Sequence, residues 1–293
     1  MGLELKIVFL FNAVITALIG FALLLYRTYQ KVYPGFIHWS IGTFVAALAH
    51  TLVYFRSDIP LWIGVLFANA LYLLAGLMRM DGVLRFLRND ALHRLTYGSP
   101  ILFVALLAFF YFFHDSIIIR IWIFGFGLGI ILWATGAVSV LHAPRSNRAI
   151  YYVAGLMNGI LGLGLMVRAL FFTVTPSQSF HDTTLVAVMS GVFVLGHEVG
   201  WGLLFFMMNS HRIEGELLAA QGELKASIDT LQRAMSEVKT LQGLLPICSS
   251  RKRIRDDHGG WSEVEAYVQR HSEATFTHGI CPDCAKRFYP QTR

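Results

Sequence analysis

Residues 183–210 read TTLVAVMSGVFVLGHEVGWGLLFFMMNS, and this stretch decides the fold. It is 28 residues with no Lys or Arg, long enough to cross a bilayer at about 1.5 Å per residue. His197 and Glu198 nevertheless sit near its middle. A carboxylate inside a membrane span is costly and marks a functional position by default. No helix-breaking signal separates the run from the polar, periodic segment that follows it. One continuous helix is therefore expected to join a membrane core to a soluble tail.

The rest of the chain fits that reading. Its 293 residues are 55% hydrophobic and 14% charged, with a mean hydropathy of +0.56. That balance excludes an ordinary soluble domain. The net charge of +6 is assigned to basic inner loops, and no nucleic-acid partner is expected. No basic segment and small-residue cleavage site bracket the first apolar run, so no cleavable signal is expected. All three cysteines lie in the last 46 residues, which suits a metal site in a reducing compartment better than a disulfide framework.

Seven apolar runs are predicted as spans: 5–26, 36–55, 61–78, 100–113, 117–141, 149–174 and 183–208. The fourth is short for a full crossing. Arg27 and Lys31 flank the first connection, Arg79, Arg85, Arg88 and Arg94 the third, and Arg145 and Arg148 the fifth. The second and fourth connections hold only Arg56 and Arg120. The positive-inside rule then places the N-terminus outside and the tail in the cytoplasm of a bacterial inner membrane. Gly155 and Gly159 form a GxxxG, which predicts close helix packing.

Beyond the last span, Leu217, Leu224, Leu231, Val238 and Leu245 recur every seven residues, and Gln221, Ile228, Met235 and Gln242 fill the second seam position. This heptad predicts a parallel coiled-coil homodimer through Leu217, Leu224, Ile228, Leu231, Met235 and Val238.

Counting helix rise from the outer ends of the spans gives two polar layers. His50, Arg168, Asn12 and Asn69 fall in a shallow one, and Ser40, Asn158, His197 and Glu198 in a deeper one. Glu198 is expected to be satisfied by Asn158 or by a hydroxyl of the second span, because an unpaired carboxylate there would cost several kcal/mol or take up a proton. Ser40, His50, Asn69, Asn158, Arg168, His197 and Glu198 are the candidate ligand or sensor residues. Packing hydrogen bonds, a ligand pocket and proton or ion sensing all remain open for them. His38 and His197 are the one histidine pair at matching depth, a thin basis for a haem- or redox-active protein, which is the alternative. Retinal needs a lysine in the last span, and there is none.

The tail predicts a strand over 251–257, a turn at His258–Gly260, a capping box at Ser262–Glu265 opening a helix to about His271, and a last helix entered through Cys281-Pro282-Asp283-Cys284. So small a unit calls for a staple. Cys248, Cys281, Cys284 and either His278 or His271 make a Cys₃His structural zinc site, treble-clef-like in arrangement; reactive thiols are the other reading. Arg251, Lys252, Arg253 and Arg255 are read as a solvated face rather than a DNA-binding strand.

The run LLPICSSRKRIRDDHGGWSEVEAYVQRHSEATFTHGICPDCAKRFYP, at 244–290, resembles a short cysteine module at the C-terminal end of many bacterial signal-transduction proteins, placed after sensor or receiver domains. Such modules usually carry a second cysteine three residues after the first. Arg251 stands there, which removes a four-cysteine site. The membrane part, YPGFIHWSIGTFVAALAHTLVYFRSDIPLWIGVLFANALYLLAGL at 33–77 and MMNSHRIEGEL at 207–217, resembles seven-span sensor regions that precede diguanylate cyclase or kinase domains. No cyclase or kinase motif follows it here, so no enzyme is expected.

The expected architecture is an all-α membrane protein. It comprises a seven-transmembrane helix bundle (1–210), a cytoplasmic coiled-coil signalling helix (211–245) and a small zinc-finger-like α+β module (246–293). The expected function is a signalling receptor that passes an extracellular or membrane ligand signal to a cytoplasmic partner protein.

Overall fold

A computed structural model describes residues 3–88, 90–92, 96–174, 185–242, 245–256, 258–272 and 274–288. Helix makes up 82% and strand 2%. The chain divides into two compact units, Met1–Leu217 and Leu218–Arg293.

The first unit holds α1 (Leu3–Tyr29), α2 (Phe36–Tyr54), α3 (Ala68–Arg88), α4 (Ser99–Phe112), α5 (Ile117–Leu141), α6 (Arg148–Val174) and the start of α7 (Leu185–Gln242). Six helical segments among the described residues are long and apolar enough to cross a membrane. The fourth apolar run forms α4, whose 14 residues reach about 21 Å at the α-helical rise, short of a hydrocarbon core of about 30 Å. α7 is one helix of 58 residues, with no break inside Thr183–Ser210 after Leu185.

In the helices of the first unit, α3 and the α5–α6 contact depart from the sequence expectation. First, α3 does not stop at the first charge. A π-helical turn at Ile63–Phe67 leads into it, and it continues through Arg79, Asp81 and Arg85 to Arg88. Val83, Leu84 and Phe86 are buried, so the apolar stripe persists at helical spacing around the charges. Arg79, expected on the basic loop flank, is thus an intrahelical residue. Second, only one glycine of the GxxxG is used among the described residues. α5 and α6 meet at Gly136 and Gly155, where a Cβ on Gly136 would lie 2.9 Å from the Gly155 carbonyl oxygen, while nothing lies within 4 Å of a Cβ on Gly159. Gly129 and Gly162 make the same kind of contact, 3.1 and 2.9 Å from each other's carbonyl oxygens.

The core at one end of the bundle is aromatic. Trp39 of α2 stacks on Phe205 of α7 at 4.6 Å and meets Trp201 at 5.0 Å, and Phe36 and Phe86 close against Phe205. In lipid no hydrophobic difference separates a helix neighbour from an acyl chain, so interlocking shape of this kind holds helices together. Below that cluster Asn209, fully buried, donates to the Tyr26 hydroxyl and to the Lys31 carbonyl, both at 3.1 Å, and accepts from the Tyr33 amide at 3.4 Å. Arg212 donates to the Phe86 carbonyl at 2.8 Å, and Lys31 pairs with Glu216 at 2.6 Å. Burial, aided by Glu216, pushes the Tyr33 hydroxyl up to about 12, so it stays protonated. The α1–α2 loop and α3 thereby clasp α7 between Asn209 and Glu216.

The second unit contains the remainder of α7, an antiparallel hairpin of β1 (Ile254–Arg255) and β2 (Trp261–Ser262), α8 (Val264–His271) and α9 (Pro282–Phe288). Gly259 turns the hairpin at φ +82, and Asp256 Oδ1 accepts from the His258 and Gly260 amides at 3.1 and 2.7 Å. The predicted strand is shorter than expected and the capping box is not formed. Ser262 pairs in β2, and Glu263 occupies the N-cap with no side-chain cap bond. Its carboxylate instead binds Arg253, at 2.9 Å from Nε and 2.8 Å from the outer nitrogen. Arg253 is therefore engaged within the unit.

Candidate functional site

Glu198 does not meet Asn158 or a second-span hydroxyl. Arg79 of α3 binds it with both outer nitrogens, 2.7 Å to Oε1 and 2.5 Å to Oε2. The residues are 9% and 8% exposed. A neutral amide or hydroxyl cannot neutralise a carboxylate out of water, whereas a planar guanidinium does so with two charge-assisted hydrogen bonds. The Arg79 guanidinium lies 5.5 Å from the Trp39 ring centre, a cation–π contact that ties the pair to the aromatic cluster. Asn158 donates to the Ala154 carbonyl of its own helix at 2.8 Å. Ser40 likewise bonds Phe36 at 2.9 Å.

The pair forms part of the wall of a cavity of about 270 Å³ bounded by all seven helices of the first unit, α4 through Tyr111. His50, Asn69, Asn158, Arg168, His197 and Glu198 all line it, so six of the seven sequence candidates share one space; Ser40 does not. The cavity runs through both polar layers that helix-rise counting separated. Asn12 of α1 also lines it and joins α1 to α7 by donating to the Gly191 carbonyl at 3.2 Å. Tyr72 and His50 Nδ1 hydrogen-bond at 2.7 Å. His50 Nε2 and both ring nitrogens of His197 are buried without a hydrogen-bond partner among the described residues. Arg56 and Arg120 reach the same cavity. The π-helical turn makes room there: a Cβ on Gly64 would sit 2.9 Å from Arg56 Cγ.

His38, the other half of the haem alternative, is not among the lining residues; its Nε2 is 3.8 Å from Asp81 Oδ2. Asp81 is fully buried. It accepts from Tyr97 at 2.6 Å, from the Leu92 amide at 2.8 Å and from Arg85 at 3.0 Å. It pins the loop after α3 back onto the helix. Arg79 and Asp81 read in the sequence as loop residues because charges end the apolar run there, and Asn209 as a neutral residue at the end of a span.

In the second unit the Cys248 sulfur accepts the Arg251 amide at 3.4 Å, and the Arg251 and Ser250 amides hold its thiol below the ordinary range. The Cys284 amide does the same for Cys281. Cys281 and Cys284, adjacent at the head of α9, fit two positions of a tetrahedral thiolate site. Among the described residues no three His, Cys, Asp or Glu are gathered as a metal-binding group.

Together the fold and site describe a helical chain with, among the described residues, six membrane-length segments and an internal cavity lined by an ion pair. No family model, curated protein or solved structure matches it.

Proposed function

We propose that this chain is a homodimeric bacterial signalling receptor. Its cavity binds a ligand from outside or within the membrane, and α7 carries the resulting change to the cytoplasmic unit, which recruits a separate output protein. The chain itself performs no catalysis in this reading. The observation that carries the proposal is the Arg79–Glu198 pair. It sets a charged, hydrogen-bonded group of α7, the helix that leaves the bundle, in the wall of a mainly apolar cavity. A ligand shifts such an equilibrium only by preferring one arrangement over another, and a buried ion pair beside the cavity offers two arrangements of clearly different energy, closed and open.

Counting α4 as a seventh, shortened span keeps the two ends on opposite sides, with the N-terminus outside and the tail in the cytoplasm. The basic residues that remain in the inner connections support that orientation. Dimerisation rests on the seam. Leu217, Leu224, Ile228, Leu231 and Met235 are all exposed in the single chain, while the side chain of Val238 lies outside the described residues. Leu at one seam position with Ile and Met at the other suits a second, parallel copy of the same helix.

Disulfide cross-linking in native membranes tests this. In a chain whose native cysteines are replaced by serine, Leu224→Cys and Leu231→Cys are expected to yield covalent dimers, and Ala226→Cys, on the outer face of the heptad, to yield few. Equal yields at all three positions, or none, would contradict the dimer.

We also propose zinc as a structural ion of the tail, held by Cys248, Cys281, Cys284 and either His278 or His271, on the strength of the CxxC pair and its spacing. Metal analysis of the full chain is expected to find zinc that Cys281→Ser removes. Unchanged metal content and folding would refute it.

A further inference from the structure

We propose that the cavity binds an uncharged, mainly apolar molecule bearing a hydroxyl or carbonyl group, with that group hydrogen-bonded at His50 and His197 and the apolar body against the surrounding side chains. This rests on the receptor reading and names the ligand class of the same site. Hydrogen-bonding capacity, charge and lining carry it.

His50 and His197 line the cavity and are 1% and 4% exposed. Tyr72 engages His50 Nδ1 at 2.7 Å. His50 Nε2 and both ring nitrogens of His197 have no hydrogen-bond partner among the described residues. Asn12, in the same wall, is half satisfied. Its amide nitrogen donates to the Val8 and Gly191 carbonyls at 2.9 and 3.2 Å, while its oxygen has no hydrogen-bond partner among the described residues. Glu198 interacts electrostatically with both imidazoles, which places the two rings in one region of the wall. Buried polar atoms are nearly always hydrogen-bonded, so a group of them left over around one space calls for a molecule that supplies the missing bonds. A neutral imidazole presents one donor and one acceptor. A hydroxyl both donates and accepts, and so matches either ring in either tautomer; a carbonyl matches the donor nitrogen.

The charged side chains of the wall are already engaged. Arg79 is held by Glu198 at 2.5 and 2.7 Å, Arg120 contacts Asp115 at 3.1 Å, and Arg56 and Arg168 have interactions of their own. A charged ligand would have to leave water and displace one of these engagements, a cost that an uncharged one avoids.

The lining sets the rest of the molecule. Asn69, Tyr72 and Asn158 add polar groups to the wall, but most of its surface is apolar, from side chains such as Phe9, Val53, Val65, Phe124, Leu161 and Leu165. A largely apolar wall with a few fixed polar groups suits a hydrocarbon body whose orientation is set by one polar group. At roughly 30 Å³ per water-sized group, 270 Å³ holds roughly nine heavy atoms.

The test uses the full chain in nanodiscs of zwitterionic phosphatidylcholine and radiolabelled octan-1-ol as the probe. Saturable binding above that of empty nanodiscs is expected, with octan-2-one competing and octane, octanoate and octylamine not. Competition by an uncharged diacylglycerol built into the disc would identify the bilayer as the source of the ligand; its failure to compete would assign the site to a single-chain solute. His197→Phe keeps a ring of similar size and removes only nitrogens without hydrogen-bond partners. It is expected to leave the thermal midpoint of the ligand-free protein no lower and to weaken octanol binding about tenfold, the scale of one lost hydrogen bond. A midpoint that falls steeply in this variant would mean that the nitrogens are satisfied within the bundle, and would overturn the proposal. Leu161→Trp keeps every polar group and fills the cavity, and is expected to weaken binding at least as much. Uptake no greater than in empty discs, competition by octane equal to that by octan-2-one, or stronger competition by octanoate or octylamine would also overturn it. Octanol binding that leaves α7 unmoved would sink the receptor reading and leave the site standing; movement of α7 on changing Glu198, in a chain that takes up no octanol, would do the reverse.

Discussion

Glu198 is held by Arg79 of α3, 119 residues away in sequence and adjacent in space. Removing one partner of a buried ion pair strands the other charge, a loss of about 3–5 kcal/mol. Glu198→Gln is therefore expected to lower the thermal midpoint of the detergent-solubilised protein markedly. Replacing both partners by leucine leaves no stranded charge, and the double variant is expected to regain most of that stability. A double variant no more stable than Glu198→Gln would mean that the pair is not an isolated two-body contact. The glutamate was legible in the sequence because a carboxylate in an apolar run stands out. Its partner was not: Arg79 sits where uninterrupted apolarity ends, and there a helical arginine and a loop arginine look the same. The distinguishing signal lay further on, in Val83, Leu84 and Phe86, which keep the helical period after the charge.

At the scale of elements, α5 and α6 depend on contacts too close for a side chain. A Cβ on Gly155 would lie 2.4 Å from Val140 Cγ2 and 3.1 Å from the Gly136 oxygen. Gly155→Leu is expected to cost about 1–3 kcal/mol by overpacking, while Gly159→Leu, facing open space, should leave the melting temperature unchanged. Equal effects at the two positions would contradict the packing. The GxxxG spacing announced a close helix pair, but spacing alone cannot say which glycine faces the neighbour. The length of α7 was plain from its missing break signals. The short reach of α4 was legible too: its apolar run is only 14 residues, and the helix is 14 residues long. Asn209 belongs to this scale as well. Asn209→Ala removes the amide that bonds Tyr26, Lys31 and Tyr33, and hydrogen exchange of the Tyr33 amide is expected to speed up while the α5–α6 contact stays protected. Unchanged exchange at Tyr33 would show that the clasp does not depend on Asn209.

For the molecule as a whole, the membrane class and the long exit helix were readable from composition and periodicity. The internal cavity was readable only as a set of polar residues whose common location needed the packed bundle. The tail was harder, since its hairpin is two residues per strand and its cap is a glutamate used for an ion pair. After zinc is removed with a chelator, its thiols offer a check at pH values between their lowered pKa and the ordinary thiol value. There the folded chain holds more thiolate than the unfolded one, so alkylation of Cys248 and Cys281 should be faster in the folded state and lose that advantage at higher pH, where both states are ionised. Because the folded pKa is depressed, the associated stabilisation exists at high pH and fades as pH falls through the folded value. Identical alkylation profiles in the folded and urea-unfolded chain would contradict the amide-to-sulfur contacts.

In the proposed receptor, the Arg79–Glu198 pair couples the cavity to the arrangement of α7 in a dimer. Spin labels at Lys225→Cys, with the native cysteines replaced by serine, report the distance between copies in nanodiscs. A defined inter-copy distance that shifts when Glu198→Gln is introduced is the predicted result. The same distance distribution with and without that charge, or no coupling between labels at all, would contradict it.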